Sequence, residues 1–83
     1  MEEQLRVILD EVGGLAAPIG DIATDQDLFA AGLTSFATVS VMLAIEEEFA
    51  VEFPDSLLKR DTFRSIAALL AVIAALKDDT LAA

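Results

Sequence analysis

The sequence predicts an all-α fold, a small four-helix bundle with three main helices, one short helix and a long first loop. Of the 83 residues, 55% are hydrophobic, and apolar residues recur at helical spacing in three separate stretches. Much of the apolar content is alanine, which favours helix. The chain has no cysteine and no histidine, so disulfides and the usual zinc sites cannot stabilise it. A chain of this length is expected to form a single domain over residues 1–83.

The first helix is predicted over residues 2–12, and Gly13–Gly14 ends it. Its apolar residues follow the spacing i, i+3, i+4 and i+7 of one helix face: Leu5, Ile8, Leu9 and Val12. Residues 15–34 have no sustained period, and a connection of this length is expected to be functional or held down by buried side chains. The apolar residues that suit this role are Leu15, Ile19, Ile22, Leu28 and Phe29.

The second helix is predicted over residues 35–49, with Thr34 as its N-cap and an end at Phe49–Ala50. Residues 51–54 are expected to be extended, because the residue before a proline avoids the α region.

A short helix is then predicted over residues 56–60, capped by Asp55. The last helix is predicted to begin after a cap at Asp61 or Thr62. The tail, residues 77–83, is expected to fray. The buried face of the last helix is predicted to contain Phe63, Ile66, Leu69, Leu70 and Ile73.

The net charge of the chain limits the class of partner that the protein can bind. Fifteen acidic residues against five basic ones give a formal net charge of −10. This surface repels phosphates, so we expect neither nucleic acid nor membrane as a partner, and it attracts proteins with basic patches. The first residues are acidic, unlike a signal peptide. The longest apolar run, Ile66–Leu76, has 11 residues, fewer than the ~20 that span a bilayer. We expect a monomeric, cytoplasmic protein.

Ser35 is the candidate functional residue. It follows a glycine-bearing loop and begins the second predicted helix, where the helix dipole favours an anionic ester on its hydroxyl. A serine at a helix start is also a common cap, and this alternative stays open. With no histidine in the chain and no lysine nearby in sequence, Ser35 cannot be activated as a hydrolase nucleophile. Any chemistry at Ser35 must therefore be performed by another protein.

The second helix has two apolar faces on a helical wheel. Val41 and Ile45 belong to a sufficient core face, whereas the opposite side is apolar again and is flanked by acids. An apolar patch rimmed by acidic groups is typical of a protein-binding surface. The alternative is that the long loop covers this side. The predicted partner surface consists of Thr34, Phe36, Val39, Leu43, Glu46 and Glu47.

Nearly the whole chain resembles the acyl carrier protein family in order and spacing. The resemblance lies in Asp27-Leu28-Phe29-x-x-Gly, in Gly32–Phe36, in Ile45–Phe49 and in Val51–Asp55. It implies the acyl-carrier type of helical bundle and a 4′-phosphopantetheine group that a phosphopantetheinyl transferase moves from coenzyme A to Ser35. It also implies a non-catalytic chain that holds its cargo as a thioester and presents the predicted partner surface to other enzymes.

Within that family, Ala30–Ala37, Met42–Glu47 and Glu52–Leu58 look most like the stand-alone aminoacyl carrier proteins. Those are loaded by truncated seryl-tRNA-synthetase-like ligases. The resemblance implies that an amino acid:carrier protein ligase places a small amino acid, glycine or alanine, on the arm. Fatty-acid carriers usually read Asp-Ser-Leu where this chain has Thr34–Phe36.

The alternative cargo is a fatty, polyketide or specialised acyl chain, loaded by an acyltransferase or synthase. Lys59 and Arg60 form a basic spot on the predicted short helix, either as a contact for the ligase or as solvated surface.

Two other functions remain as alternatives. The partner surface could serve an adaptor that binds a basic helix without any modification of Ser35. Asp21, Asp25 and Asp27 could suggest calcium, but the twelve-residue EF-hand loop with its terminal glutamate is absent, so these acids are expected to cap turns.

Overall fold

The computed structural model describes residues 1–78 and contains three α-helices joined by loops and short 3-10 turns. No strand occurs within these residues, and the predicted all-α class is confirmed. Most of the tail predicted to fray, residues 79–83, lies outside the described residues. The helices are α1 (Glu2–Val12), α2 (Ser35–Phe49) and α3 (Ile66–Lys77), and the 3-10 turns are Ile19–Asp21, Asp55–Leu57 and Arg60–Phe63.

The core forms where α1 packs against both α2 and α3. The predicted faces of the three helices supply it, and Val12, in the last turn of α1, is the one predicted α1 residue that stays partly exposed. Leu70 is half-buried on the edge of this core. The helical side chains that are fully buried in the core are Leu5, Leu9, Val41, Ile45, Ile66, Leu69 and Ile73.

The long connection between α1 and α2 is held down by buried side chains, as predicted. Ile22 and Leu28 are buried in the core, and Leu15, Ile19 and Phe29 are half-buried against it. Two backbone bonds also tie the connection to the C-terminal part of the fold. The Leu28 N–H donates to the Arg64 carbonyl over 2.7 Å, and the Ala67 N–H donates to the Thr24 carbonyl over 2.8 Å.

Arg6 holds the same connection from α1. Its guanidinium Nη1 donates to the carbonyls of Ile19 and Ile22 over 2.8 and 2.9 Å, while Nε forms an ion pair with Glu2 at 2.8 Å. These bonds satisfy carbonyl groups in a loop that has no regular pairing. Sequence reasoning missed this role, because no spacing in the sequence connects residue 6 with residues 19 and 22.

The predicted short helix over residues 56–60 is wrong in detail. Two 3-10 turns replace it, because the backbone between them leaves the helical region: Leu58 has ψ 68° and Lys59 is extended at φ −146°, ψ 161°. Asp55 begins the first turn, but its side chain makes no capping bond.

The predicted start of the last helix is also wrong. Residues 60–63 form the second 3-10 turn, so α3 begins only at Ile66. Its N-cap is Ser65, whose hydroxyl accepts a hydrogen bond from the Ala68 N–H at 3.0 Å. Thr62 is buried within the preceding turn rather than capping α3, and Phe63 is buried there too.

Gly32 fixes the end of the connection just before α2. Its φ is +115°, a conformation that side chains with a Cβ rarely adopt, and a Cβ there would lie 2.8 Å from the backbone nitrogen of Ala16. The Ala16 N–H donates to the Ala31 carbonyl over 2.8 Å, so this close approach is part of a backbone contact. Glycine is required here by both space and conformation.

Replacing Gly32 with alanine should therefore destabilise the fold by about 2–4 kcal/mol, combining backbone strain with a steric clash. Gly20→Ala is the matched control, because a Cβ at Gly20 meets nothing within 4 Å, and its effect should stay within about 1 kcal/mol. Urea denaturation of both variants measures the difference. Equal free energies of unfolding would contradict the requirement for glycine at residue 32.

Candidate functional site

The turn that leads into α2 is closed by local hydrogen bonds. The Leu33 N–H donates to the Leu28 carbonyl over 2.9 Å. The Asp27 carboxylate accepts from the N–H groups of Phe29 and Ala30, at 2.9 and 3.3 Å. Asp27 thus caps a turn, as expected for an Asp in this context. These hydrogen bonds fix the position of the backbone at the start of α2.

Thr34 is the N-cap of α2, as predicted. Its backbone is extended at φ −104°, ψ 159°, and its Oγ1 accepts a hydrogen bond from the Ala37 N–H at 3.0 Å. Its carbonyl accepts the first regular helical bond, from the Thr38 N–H at 3.1 Å. The capping role at this helix start therefore belongs to Thr34.

Ser35 is the first residue of α2, and its side chain is exposed. Its hydroxyl makes no hydrogen bond to any described residue, while its carbonyl accepts from the Thr38 hydroxyl at 2.6 Å. The backbone N–H groups of Ser35 and Phe36 likewise meet no acceptor within residues 1–78, as is usual in a first helical turn. A free hydroxyl and two free N–H donors thus share the positive end of the α2 dipole.

A groove of about 340 Å³ opens beside Ser35. One side is α2, which contributes Ser35, Thr38, Val39 and Met42. The other side combines the first loop with the two C-terminal turns and contributes Phe29, Leu58, Lys59, Arg60 and Phe63.

The Arg60 guanidinium carbon lies 3.9 Å from the centroid of the Phe29 ring, a cation–π contact on this side of the groove. The sequence placed Lys59 and Arg60 on a short helix as a basic spot. Their approach to α2 could not be read from the sequence, because it depends on the tertiary path of the two 3-10 turns.

The second apolar face of α2 is exposed, and the loop does not cover it. Phe36 is 87% exposed, and Val39 and Leu43 are each 55% exposed. Thr34 is exposed at the N-terminal end of this face. The alternative in which both sides of α2 are buried is therefore wrong.

The two acids of the predicted surface differ in their contacts. Glu47 is exposed, whereas Glu46 is half-buried and its Oε2 accepts from the Phe53 N–H at 2.8 Å. Glu46 therefore holds the chain that follows α2, and the charge of Glu47 is the one freely presented to solvent.

Asp21, Asp25 and Asp27 do not form a metal site in the structure. Among residues 1–78, no group of three or more potential ligands stands close enough together to hold a metal ion. None of the helices in the same part of the chain has the length and apolar character needed to cross a membrane.

A free serine hydroxyl at a helix start, beside a groove and an exposed apolar face, fits the covalent attachment of an anionic group. Residues 3–73 match the family described as phosphopantetheine attachment site. The chain belongs to this family of carrier proteins, and the match indicates a covalently bound 4′-phosphopantetheine. Members of the family are generally non-catalytic.

Among particular proteins, the chain is 52% identical over 69 residues to the aminoacyl carrier protein of Agrobacterium fabrum (strain C58), which covers 83% of each chain. Its structure is similar to the crystal structure of an engineered Bradyrhizobium japonicum glycine:[carrier protein] ligase complexed with carrier protein from Agrobacterium tumefaciens and AMP. For this comparison the TM-score is 0.87 and the sequence identity is 49%. The alignment covers 89% of this chain and 99% of the other.

A third similarity is to a chain in the crystal structure of Bradyrhizobium japonicum glycine:[carrier protein] ligase complexed with glycylated carrier protein. The TM-score is 0.71 at 26% identity, covering 84% of this chain and 93% of the other. This chain is thus a homologue of the aminoacyl carrier proteins, as the sequence resemblance implied.

The division of roles between Thr34 and Ser35 can be measured. Thr34→Ala removes the cap and should lower the free energy of unfolding by about 1 kcal/mol. Ser35→Ala removes an unbonded, exposed hydroxyl and should change it by less than about 0.5 kcal/mol. Both values come from chemical denaturation of the unmodified protein. A loss in Ser35→Ala as large as in Thr34→Ala would show that Ser35 also caps α2.

Glu46 and Glu47 provide a second matched pair. Glu46→Ala leaves the Phe53 N–H without its charged acceptor and should cost about 1–2 kcal/mol of stability. Glu47→Ala should cost less than about 0.5 kcal/mol, because Glu47 is solvated. Thermal or urea unfolding measures both, and equal losses would contradict the structural role of Glu46.

Proposed function

We propose that this chain carries a small aminoacyl group, glycine or alanine, as a thioester on a 4′-phosphopantetheine arm attached to the Oγ of Ser35. The observation that supports this most directly is the free hydroxyl of Ser35 at the start of α2. Since Thr34 caps the helix, the Ser35 Oγ can form an ester without the loss of a structural hydrogen bond.

The residues around Ser35 suit a phosphodiester at this position. The unpaired N–H groups of Ser35 and Phe36 face the end of α2 where the helix dipole is positive. Such a placement stabilises an anion by about 0.3–1 kcal/mol when it is exposed to solvent. When bound, the group supplies the thiol that a chain without cysteine lacks.

The chain itself is proposed to be non-catalytic and to act as a substrate of partner enzymes. It has no histidine or cysteine, and the Ser35 hydroxyl meets no hydrogen-bonding base among the described residues. A phosphopantetheinyl transferase would modify Ser35, and an amino acid:carrier protein ligase would load the arm with the help of ATP. The proposed location of the chain is the cytoplasm, where coenzyme A and ATP are available to these enzymes.

The exposed face of α2 is the proposed contact with these enzymes. Phe36, Val39 and Leu43 offer apolar area next to Ser35, and Glu47 adds a solvated negative charge for a basic partner. The glycine ligase in the similar complexes supports an enzyme of this kind as the partner, and the glycylated carrier protein supports glycine as the cargo.

Attachment at Ser35 is tested by co-expression with a phosphopantetheinyl transferase, followed by intact-mass measurement. The wild-type chain should gain the mass of one arm, and Ser35→Ala should gain nothing. Ser40→Ala is the matched control, because Ser40 is another exposed serine of α2, and it should be modified like the wild type. An arm on Ser35→Ala, or an unmodified wild type, would defeat the proposal.

The docking face is tested with Leu43→Asp. A charge in the middle of the apolar face should lower kcat/KM for loading of the holo-protein by the ligase by about tenfold or more, as for a central interface residue. Val7→Asp is the control, because Val7 on α1 is equally exposed, at 54%. Equal loading rates for the two variants would place the contact elsewhere on the chain.

A further inference from the structure

The C-terminal end of α2 carries charges that oppose a helix there. Glu46, Glu47 and Glu48 lie in its last turn, and that turn contains no basic residue. Acidic side chains are unfavourable at the negative end of a helix dipole. The Glu46 carboxylate accepts a hydrogen bond from the Phe53 N–H, whereas Glu47 and Glu48 are exposed. The charges of the last turn therefore favour its opening.

The residue that ends α2 adds backbone strain. Ala50 is the C-cap and has φ 54° and ψ 47°, the left-handed conformation that glycine usually adopts at this position. Within residues 1–78, Ala50 is the only residue other than glycine with a positive φ. A side chain with a Cβ lies too close to the following carbonyl oxygen in this conformation. Interactions from outside α2 must therefore offset both the strain and the unfavourable charges.

Lys77, the last residue of α3, supplies a positive charge at this end of α2. Its Nζ lies 3.4 Å from the carbonyl oxygen of Phe49, across 28 residues of sequence. No backbone N–H among residues 1–78 donates to that carbonyl, so the ammonium is its donor. Because a bond of 3.4 Å is long, the attraction between the ammonium and the negative end of the helix dipole is its main contribution.

We propose that Lys77 is a cross-helix cap that controls local opening of the last turn of α2. Three amides report on this turn, because all three donate to Glu46. Those of Ala50 and Val51 donate to its carbonyl, and that of Phe53 donates to its carboxylate. With the cap in place the turn stays helical despite its acids and its strained end. Without the cap the turn opens more often, and the three amides lose their acceptors together.

The cap acts on the acidic end of the proposed partner surface. Glu47 lies in the turn that the cap holds, and Leu43 lies one turn earlier. Ser35 begins α2, about 20 Å along the helix axis from Phe49. Opening at the C-terminal end therefore leaves the Thr34 cap and Ser35 in place, and the inference does not depend on whether Ser35 is modified.

Native-state hydrogen exchange of the unmodified, full-length protein tests the cap. Lys77→Met removes the charge but keeps an unbranched side chain. It should raise the exchange rates of the three amides that donate to Glu46 by about two- to fivefold. Lys77→Arg should keep the wild-type rates. The Ala37 and Thr38 amides, which donate to Thr34 at the start of α2, should exchange at unchanged rates in both variants.

Lys59→Met is the matched control. It makes the same change in net charge, but Lys59 lines the groove beside Ser35 rather than the end of α2, and the three rates should not change. In about 1 M NaCl the difference between the wild type and Lys77→Met should shrink, because the Debye length falls to about 3 Å. Adding Ala50→Gly to Lys77→Met should slow exchange of the three amides by about two- to fivefold, since glycine relieves the strain.

Three results would overturn the proposal. Equal rates in the wild type and Lys77→Met would show that the ammonium does not hold the turn. A rise of the same size in the Ala37 and Thr38 amides would show that Lys77 acts on the stability of the whole fold. An equal rise in Lys59→Met would assign the effect to net charge. None of these results bears on attachment at Ser35, which the intact-mass measurement tests separately.

Discussion

The site depends on where α2 begins. The turn bond from Leu33 to Leu28 and the close approach of Gly32 to Ala16 bring the chain to Thr34, whose hydroxyl caps the helix. A helix that starts one residue earlier or later would turn every side chain of α2 by about 100°. Ser35 would then lose its place at the helix start, and the second apolar face would no longer adjoin it. A capping threonine directly before an unbonded serine is thus the constraint that makes the serine available for modification.

The few basic residues of this acidic chain make different contacts. Arg6 holds the first loop by bonding to its carbonyls, and Arg60 covers Phe29 beside the groove. Lys59 lines the groove and forms no ion pair with any of the described residues. The acids are divided in a similar way, because Glu46 faces inward to the Phe53 N–H and Glu47 faces solvent. The net charge of the chain therefore determines its long-range attraction for a basic partner. The contacts within the fold determine which individual charges are exposed to that partner.

The strongly patterned parts of the fold could be predicted from the sequence. The periodic apolar residues of α1 and the Thr34 cap defined the first two helices, and the excess apolar face of α2 indicated an exposed surface. The segment between residue 54 and the start of α3 could not be predicted, because its two 3-10 turns depend on burial of Thr62 and Phe63, and the Phe63 ring stacks on Phe53 at 5.9 Å between centroids. The groove was missed for the same reason, since its two sides meet only in the tertiary structure. A helical wheel places Glu46 among the acids at the edge of an apolar face. It does not indicate that the Glu46 carboxylate accepts a hydrogen bond from the Phe53 N–H.

The proposed aminoacyl cargo on Ser35 can be tested by a loading assay with a choice of substrates. The holo-protein is incubated with a glycine:carrier protein ligase, ATP and a panel of amino acids, and its intact mass is measured before and after treatment with hydroxylamine. We expect glycine or alanine to be added to the arm as a hydroxylamine-sensitive thioester, and we expect the unmodified protein and Ser35→Ala to gain nothing. Loading of no amino acid, together with efficient loading of a fatty acyl chain by an acyltransferase, would contradict it.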